Sequence, residues 1–277
     1  GAGAGALADV ELGQAAAGLR RAGASAVEAG AEWEGLRRLA GVRIPPGDPA
    51  RDKVHAHFQA NLAALLRTAR RAGVPVILAP AAVNLRDCPP FAAAGSDLEA
   101  ARAARGRALA DAPLHEALGD LAALRDTWKA AAAVDPRNTD TRFRLAQAEL
   151  ALTNTPAALA EFGRARDDDA LPLRADGRVA ETLRRLAAGR DGVDFVDLPA
   201  GLARLAVQGV PGHDFFYEHV HATPDGNFVL ALLLAPMVEQ HLPAAARTAS
   251  PPPWPDSDAV VEALALTPWN ERLGFEL

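Results

Sequence analysis

Val74–Pro80 reads V-P-V-I-L-A-P, a short and nearly continuous apolar run whose interpretation decides the fold. It follows Asp52–Ala72, where Val54, Phe58, Leu62, Leu65, Leu66 and Ala69 recur at helical spacing. Gly73 is placed to end that helix. A helix, a glycine and such a run read as one α–β unit of a parallel sheet buried on both faces. The same order returns downstream, with a helical Arg178–Ala188, a turn at Gly189–Gly192, and Val193–Leu198 (V-D-F-V-D-L) alternating like a strand. A last unit leads from a loop at Glu218–His221 into a helix from Asp225 to about His241. That helix is apolar nearly all round, which predicts deep packing, and Pro236 should kink it or loosen its final turn. Repeated units of this kind predict a doubly wound α/β domain with functional loops leaving the strand ends.

Composition agrees with a helix-rich chain. Of 277 residues 49% are apolar, with alanine dominant, and only 5% are aromatic, which favours packed helices over a β-sandwich. Net charge is −6 without a long basic run, so no nucleic-acid partner is expected. Cys88 stands alone and rules out an internal disulfide framework. The longest apolar run, Phe228–Val238, is too short to span a bilayer. The chain opens on G-A-G-A-G-A, with neither methionine nor a targeting segment, which predicts a cut inside a larger protein and leaves the compartment unread.

A different pattern lies between the α/β units. Trp128, Ala131 and Pro136 recur 34 positions later as Phe162, Ala165 and Ala170, and Leu124 matches Ala158. In the second copy Leu145 and Ala146 form a Leu–small pair. Small residues let paired helices approach closely while the aromatic fills the groove between them. The period and pattern resemble the tetratricopeptide repeat, with Ala170 where proline is usual and the inter-helix glycine replaced around Thr153–Asn154. Two repeats make no long solenoid, so they are expected to lean on the α/β part as an insertion.

Candidate chemistry concentrates in F-F-Y-E-H-V-H-A-T-P-D-G-N (215–227). Thr223 is the expected N-cap, Pro224 the first helical residue, and Asp225 suits the positive end of the helix dipole. His221 stands just ahead of that start with Glu218 three positions before it, an arrangement suited to a general base and its orienting carboxylate. His219 is either an exposed neighbour or a substrate contact. Metal binding by His213, His219 and His221 is not expected, because the shell lacks a carboxylate or cysteine. Asn84, Arg86 and Asp87 follow a strand end and form either a binding loop or a turn closed by Pro89-Pro90. Cys88 has no evident basic partner and reads as inert. Asp167–Asp169 reads as a solvated turn, and Pro251–Pro255 as a linker to a short helix at Ser257–Leu266.

Taken together, A-P-A-A-V-N-L-R-D-C-P-P-F (79–91), D-D-D-A-L-P-L-R-A-D (167–176) and F-Y-E-H-V-H-A-T-P-D-G-N (216–227) resemble SGNH/GDSL-type hydrolase domains, and more closely those of large bacterial proteins that combine such a domain with tetratricopeptide repeats. The resemblance implies a flavodoxin-like parallel sheet sandwiched by helices. It also implies a Ser–His–Asp-type triad acting on ester-linked small molecules or glycans, with no metal or organic cofactor. The family's D-x-x-H block falls on Glu218–His221, glutamate replacing aspartate. No G-D-S turn, oxyanion glycine or G-x-N asparagine is found, and Ser25, Ser96, Ser250 and Ser257 lack the strand–turn–helix context of a nucleophile. The chain alone is therefore expected to be nearly inactive.

The implied division is a truncated N-terminal α/β part at 1–97, a helical insertion at 98–170, the C-terminal α/β part at 171–243, and a linker with a short helical tail at 244–277. The alternative is a non-catalytic scaffold that binds a protein partner through its repeat-like helices.

Overall fold

A computed structural model describes residues 42–246 and 253–265. Helix α1, Pro49–Ala72, starts where the Asp48 carboxylate accepts from Ala50 N at 2.8 Å, with Pro49 as its first residue. It ends at Gly73, which adopts φ 66° and so turns the chain without a Cβ penalty. Strand β1, Val76–Leu78, pairs in parallel with β2, Val193–Phe195, in the register Val76↔Val193. Helices α2 (Glu99–Leu118), α3 (Leu121–Val134), α4 (Thr139–Ala151), α5 (Thr155–Asp167) and α6 (Gly177–Ala187) lie between the strands in sequence. Helices α7 (Leu198–Leu205), α8 (Pro224–His241) and α9 (Ser257–Ala263) follow β2.

This corrects the expected fold class. The sheet of the described residues has two strands of three residues each, so the architecture is mainly helical and is not a flavodoxin-like sheet sandwiched by helices. Local chemistry explains why the apolar runs yield so little strand. Pro75 has no amide hydrogen to donate, and Ala79-Pro80 leaves the ladder at the other end. Val193–Leu198 is cut short because Asp197 turns to cap α7, accepting from Ala200 N at 3.1 Å. The segment before α8 contributes only an isolated antiparallel bridge between Phe216 and Ala222.

Two apolar cores flank the strand pair. Leu66 of α1 meets Leu183, Leu186 and Ala187 of α6 around Leu78. Leu198 and Leu202 of α7 meet Ala82, Phe215 and Phe216, with Leu230, Leu233 and Leu234 of α8 partly buried against them. The expected deep packing of α8 is not found, since Gly226 is its one buried residue. An 18-residue helix is about 27 Å long, and a pair of three-residue strands is too small to cover it. The helix nevertheless runs unbroken through Pro236 to His241.

The helical layers are compatible with the repeat pattern. Helices α3 and α5 begin at 121 and 155, which are 34 positions apart. Leu124, Trp128 and Ala131 are buried in one core, and their equivalents Ala158, Phe162 and Ala165 in the next. Phe162 meets Phe143 edge to face, with ring centroids 5.2 Å apart. At the inter-helix turn, where glycine is usual, Thr153 takes φ 60°, a left-handed conformation costly for a β-branched residue. Ala170, in the usual proline position, uses its free amide to donate to Ala92 O at 3.1 Å, and its carbonyl accepts from Ile44 N at 2.7 Å. A proline could not make the first of these bonds.

Candidate functional site

The site is assembled from two loops and the start of α8. Thr223 caps α8 by accepting from Gly226 N at 3.0 Å, and Pro224 follows it. Gly226 packs so closely on the preceding segment that a Cβ there would overlap the Phe215 carbonyl. Thr223 N also donates to Phe215 O at 2.9 Å and Tyr217 N to His221 O at 2.9 Å, closing Phe215–Thr223 into a tight loop.

Glu218 sits at the tip of that loop. One carboxylate oxygen accepts from His219 N at 2.7 Å and the other from His221 N at 2.7 Å. The same oxygens contact Nδ1 of His219 and Nδ1 of His221, respectively. A single carboxylate therefore contacts both imidazoles and is hydrogen-bonded to that of His221. With Nδ1 of His221 donating to Glu218, the lone pair of that ring lies on Nε2. The His221 side chain is 78% exposed, so this atom faces solvent, as a base acting on an external group requires.

His219 is half-buried, with its ring 5.0 Å from that of Phe91 in an edge-on arrangement. Burial holds its imidazole below the usual histidine range, and the charges of His221 and Arg174 push the same way. The desolvated setting against Phe91 makes the neutral ring the favoured form.

The loop after β1 is bound directly to this one. Asn84 N donates to His219 O at 3.0 Å, while Leu85 N and Arg86 N both donate to Pro211 O. The Asn84 side chain is fully buried, and its Oδ1 accepts from Asp87 N at 2.9 Å. Its Nδ2 is buried without a hydrogen-bond partner among the described residues. Arg86 and Asp87 join the two loops rather than facing outward. The Arg86 guanidinium reaches Asp214 at 3.1 Å and the carbonyl oxygens of Val207 and Val210. Asp87 accepts from His213 N at 2.7 Å. Burial alone would raise the Asp87 carboxyl, but hydrogen bonds from Arg86 and His213 N, with the Arg86 charge, bring it below the usual range. Gly212 packs against this junction so closely that a Cβ there would displace the Asp87 carboxylate and the Arg86 guanidinium.

Beneath the loops lies a pair that the sequence reading missed. Asp169 is buried, not part of a solvated turn, and accepts from Phe91 N at 2.8 Å, Ala92 N at 3.0 Å and Leu171 N at 3.0 Å. Arg174 is buried 3.7 Å from it, donates to Asn84 O at 2.9 Å and Cys88 O at 2.7 Å, and lies over the Phe91 ring. A run of three aspartates resembles solvated surface, and only the close following Arg174 in D-D-D-A-L-P-L-R hinted at a buried partner. Burial raises the Cys88 thiol above its ordinary value despite the nearby Arg174, which keeps it protonated at neutral pH.

The structure thus brings Glu218, His219, His221 and the backbone of Asn84 into one junction, with Arg86 and Asp87 fastening its far end. Ser25 and Ser250 lie outside the described residues. Ser96 and Ser257 are engaged elsewhere, the first accepting from Leu98 N and the second donating to Asp225. No protein-family model, curated protein or solved structure matches the chain.

Proposed function

We propose that this chain supplies the acid–base half of an SGNH/GDSL-like ester hydrolase or acyltransferase site, with His221 as general base and Glu218 as its orienting carboxylate. One observation carries the reading. Glu218 fixes the main chain and Nδ1 of His221 while the rest of that ring stays open to solvent. A buried histidine serving only to satisfy a helix entrance would not be so exposed. The longer glutamate side chain reaches both the backbone and the ring from three positions away, which answers the geometric demand of replacing aspartate.

In the proposed reaction an alcohol contributed from outside the described residues loses its proton to Nε2 as its oxygen attacks the ester carbonyl. The imidazolium so formed faces the Glu218 carboxylate and returns the proton to the departing alkoxide. The substrate is an ester-linked small molecule or glycan.

The test is ester hydrolysis by the full-length protein with p-nitrophenyl acetate. His221→Ala is expected to lower kcat/KM by roughly 10²–10⁴. Glu218→Gln keeps the size of the side chain but removes its charge, and is expected to lower kcat with little change in KM. An unchanged rate in His221→Ala removes this residue from the mechanism. Nitrogen-15 NMR gives a second readout, with the proton on Nδ1 expected in the wild type and a mixture of tautomers in Glu218→Gln.

A further inference from the structure

Glu218 meets two imidazoles with one negative charge. Its carboxylate accepts from both main-chain amides, contacts Nδ1 of both rings and is hydrogen-bonded to that of His221. The two rings sit in unlike settings, the His221 side chain 78% exposed and that of His219 only 14%. The His219 ring stands edge-on to Phe91 with centroids 5.0 Å apart, and the Arg174 guanidinium lies over the same Phe91 ring, 5.8 Å from its centroid. A second link runs through the main chain. Arg174 donates to Asn84 O at 2.9 Å, and Asn84 N donates to His219 O at 3.0 Å. One buried residue thus sets a positive charge near His219 and holds the peptide group bonded to it.

Among the described residues, the charged and titratable groups around His219 are Glu218 and His221 on its own loop, and Arg174 with its partner Asp169 beyond Phe91. Cys88 also lies beside Arg174, but burial raises its thiol, which adds no charge. Burial lowers the Arg174 guanidinium from its ordinary value, yet arginine starts so high that the group stays charged. A proton on His219 would add a cation near that charge and draw on the one carboxylate that both rings touch. We infer that Arg174 is a positioning residue for His221, reserving the single negative charge of Glu218 for that imidazole by disfavouring a second cation at His219. The inference rests on the reading of His221 as the base. It adds a control by acidity to that site, since protonation of His219 diverts the carboxylate from the base.

Histidine NMR titration of the full-length protein reads this partition without relying on turnover. In the wild type the His219 ring is expected to take up its proton below the usual histidine range. Arg174→Gln removes the charge and is expected to raise that midpoint by about 0.5 pH unit or more. Asp169→Asn leaves Arg174 unopposed and is expected to lower it, so the two variants move in opposite directions. Arg174→Lys keeps the charge and is expected to restore the wild-type midpoint. In hydrolysis of p-nitrophenyl acetate, the acid side of the kcat profile is expected to shift upward with the His219 midpoint in Arg174→Gln. Adding Arg174→Gln to His219→Gln, which lacks the second imidazole, is expected to leave the profile where His219→Gln alone puts it.

A wild-type His219 midpoint at or above the usual histidine range, an unmoved midpoint in a folded Arg174→Gln, or a raised one in Asp169→Asn would each overturn the proposal. Where Arg174→Gln does not fold, the wild type and Asp169→Asn decide it. A profile shift from Arg174→Gln that persists in the His219→Gln background would also overturn it, marking Arg174 as structural support alone. If the His219 midpoints move as expected while His221→Ala hydrolyses esters normally, the hold of Arg174 on His219 stands and the base assignment falls. If His221→Ala is inactive while the His219 midpoint ignores Arg174, the role of Arg174 falls alone.

Discussion

Helices α3–α5 carry apolar stripes and helix α8 is the more apolar of the two regions, yet α8 is the less buried. In the first group Trp128, Ala146, Ala158 and Phe162 are each at most 2% exposed. In α8 only Gly226 is buried. The difference lies in the neighbours rather than in the helices. Each apolar stripe of α3–α5 faces a stripe of matching size, with alanines opposite aromatics. Helix α8 has apolar side chains on every side but receives α7 and the Phe215–Phe216 segment on one flank and α9 on another. Apolar character makes a helix able to be buried, and the supply of complementary surface decides whether it is.

Truncation of equivalent apolar residues breaks or sustains this contrast most directly. Phe162→Ala is expected to cost about 3–5 kcal/mol in urea unfolding, because it opens a cavity among residues that cannot collapse onto it. Leu232→Ala in α8 is expected to cost about 1 kcal/mol or less, since its site is already open to solvent. Equal losses would show that α8 is as tightly packed in solution as the repeat-like layers.

The one buried point of α8 sharpens the comparison. Gly226→Ala forces a methyl group into the Phe215 carbonyl and is expected to destabilise by about 1–3 kcal/mol. Chemical shifts of Glu218–His221 should move with it, because the same close approach positions that loop. A neutral Gly226→Ala would mean that the helix start does not seat the loop.

The next effect has the opposite sign. Thr153→Gly relieves the left-handed conformation between α4 and α5 and is expected to raise stability by about 1 kcal/mol, read from the same urea transitions. A loss would show that the threonine side chain contributes more at this turn than its backbone costs.

Acid titration gives the smallest effect. Asp87 is held below the ordinary carboxyl range, so its contribution is complete above about pH 4 and is lost as pH falls through its folded value. Stability of wild type and Asp87→Asn, compared by thermal melting, should therefore converge below about pH 4. A constant difference across that range would mean that the Asp87 charge is not what joins the loops.

Much of this molecule is legible in its letters, and the limits follow from physics. Gly73 and Thr223 act through their own backbone and side-chain chemistry, so a local reading finds both. The 34-residue spacing survives because α3 and α5 bury equivalent residues. Glu218 and His221 pair over three positions and need no distant information. Strand content is different, because V-D-F-V-D-L is compatible with a six-residue strand until Asp197 is seen to cap a helix. The Asp169–Arg174 pair owes its burial to Phe91 and Asn84, roughly eighty to ninety positions away, and an aspartate run carries no trace of such partners. Arg86 and Asp87 read locally as either a binding loop or a turn closed by Pro89-Pro90. Their engagement with Asp214 and His213 depends on a segment more than a hundred residues further on.

Three bonds of the seam between the two loops run between peptide groups, from Asn84 to His219 and from Leu85 and Arg86 to Pro211. Amide hydrogens and carbonyl oxygens are common to almost every amino acid. Leu85 and His219 could thus change over evolutionary time without unfastening the seam, provided the number of residues in each loop is kept. Distant kin of this chain should then share the lengths of these loops more faithfully than their letters.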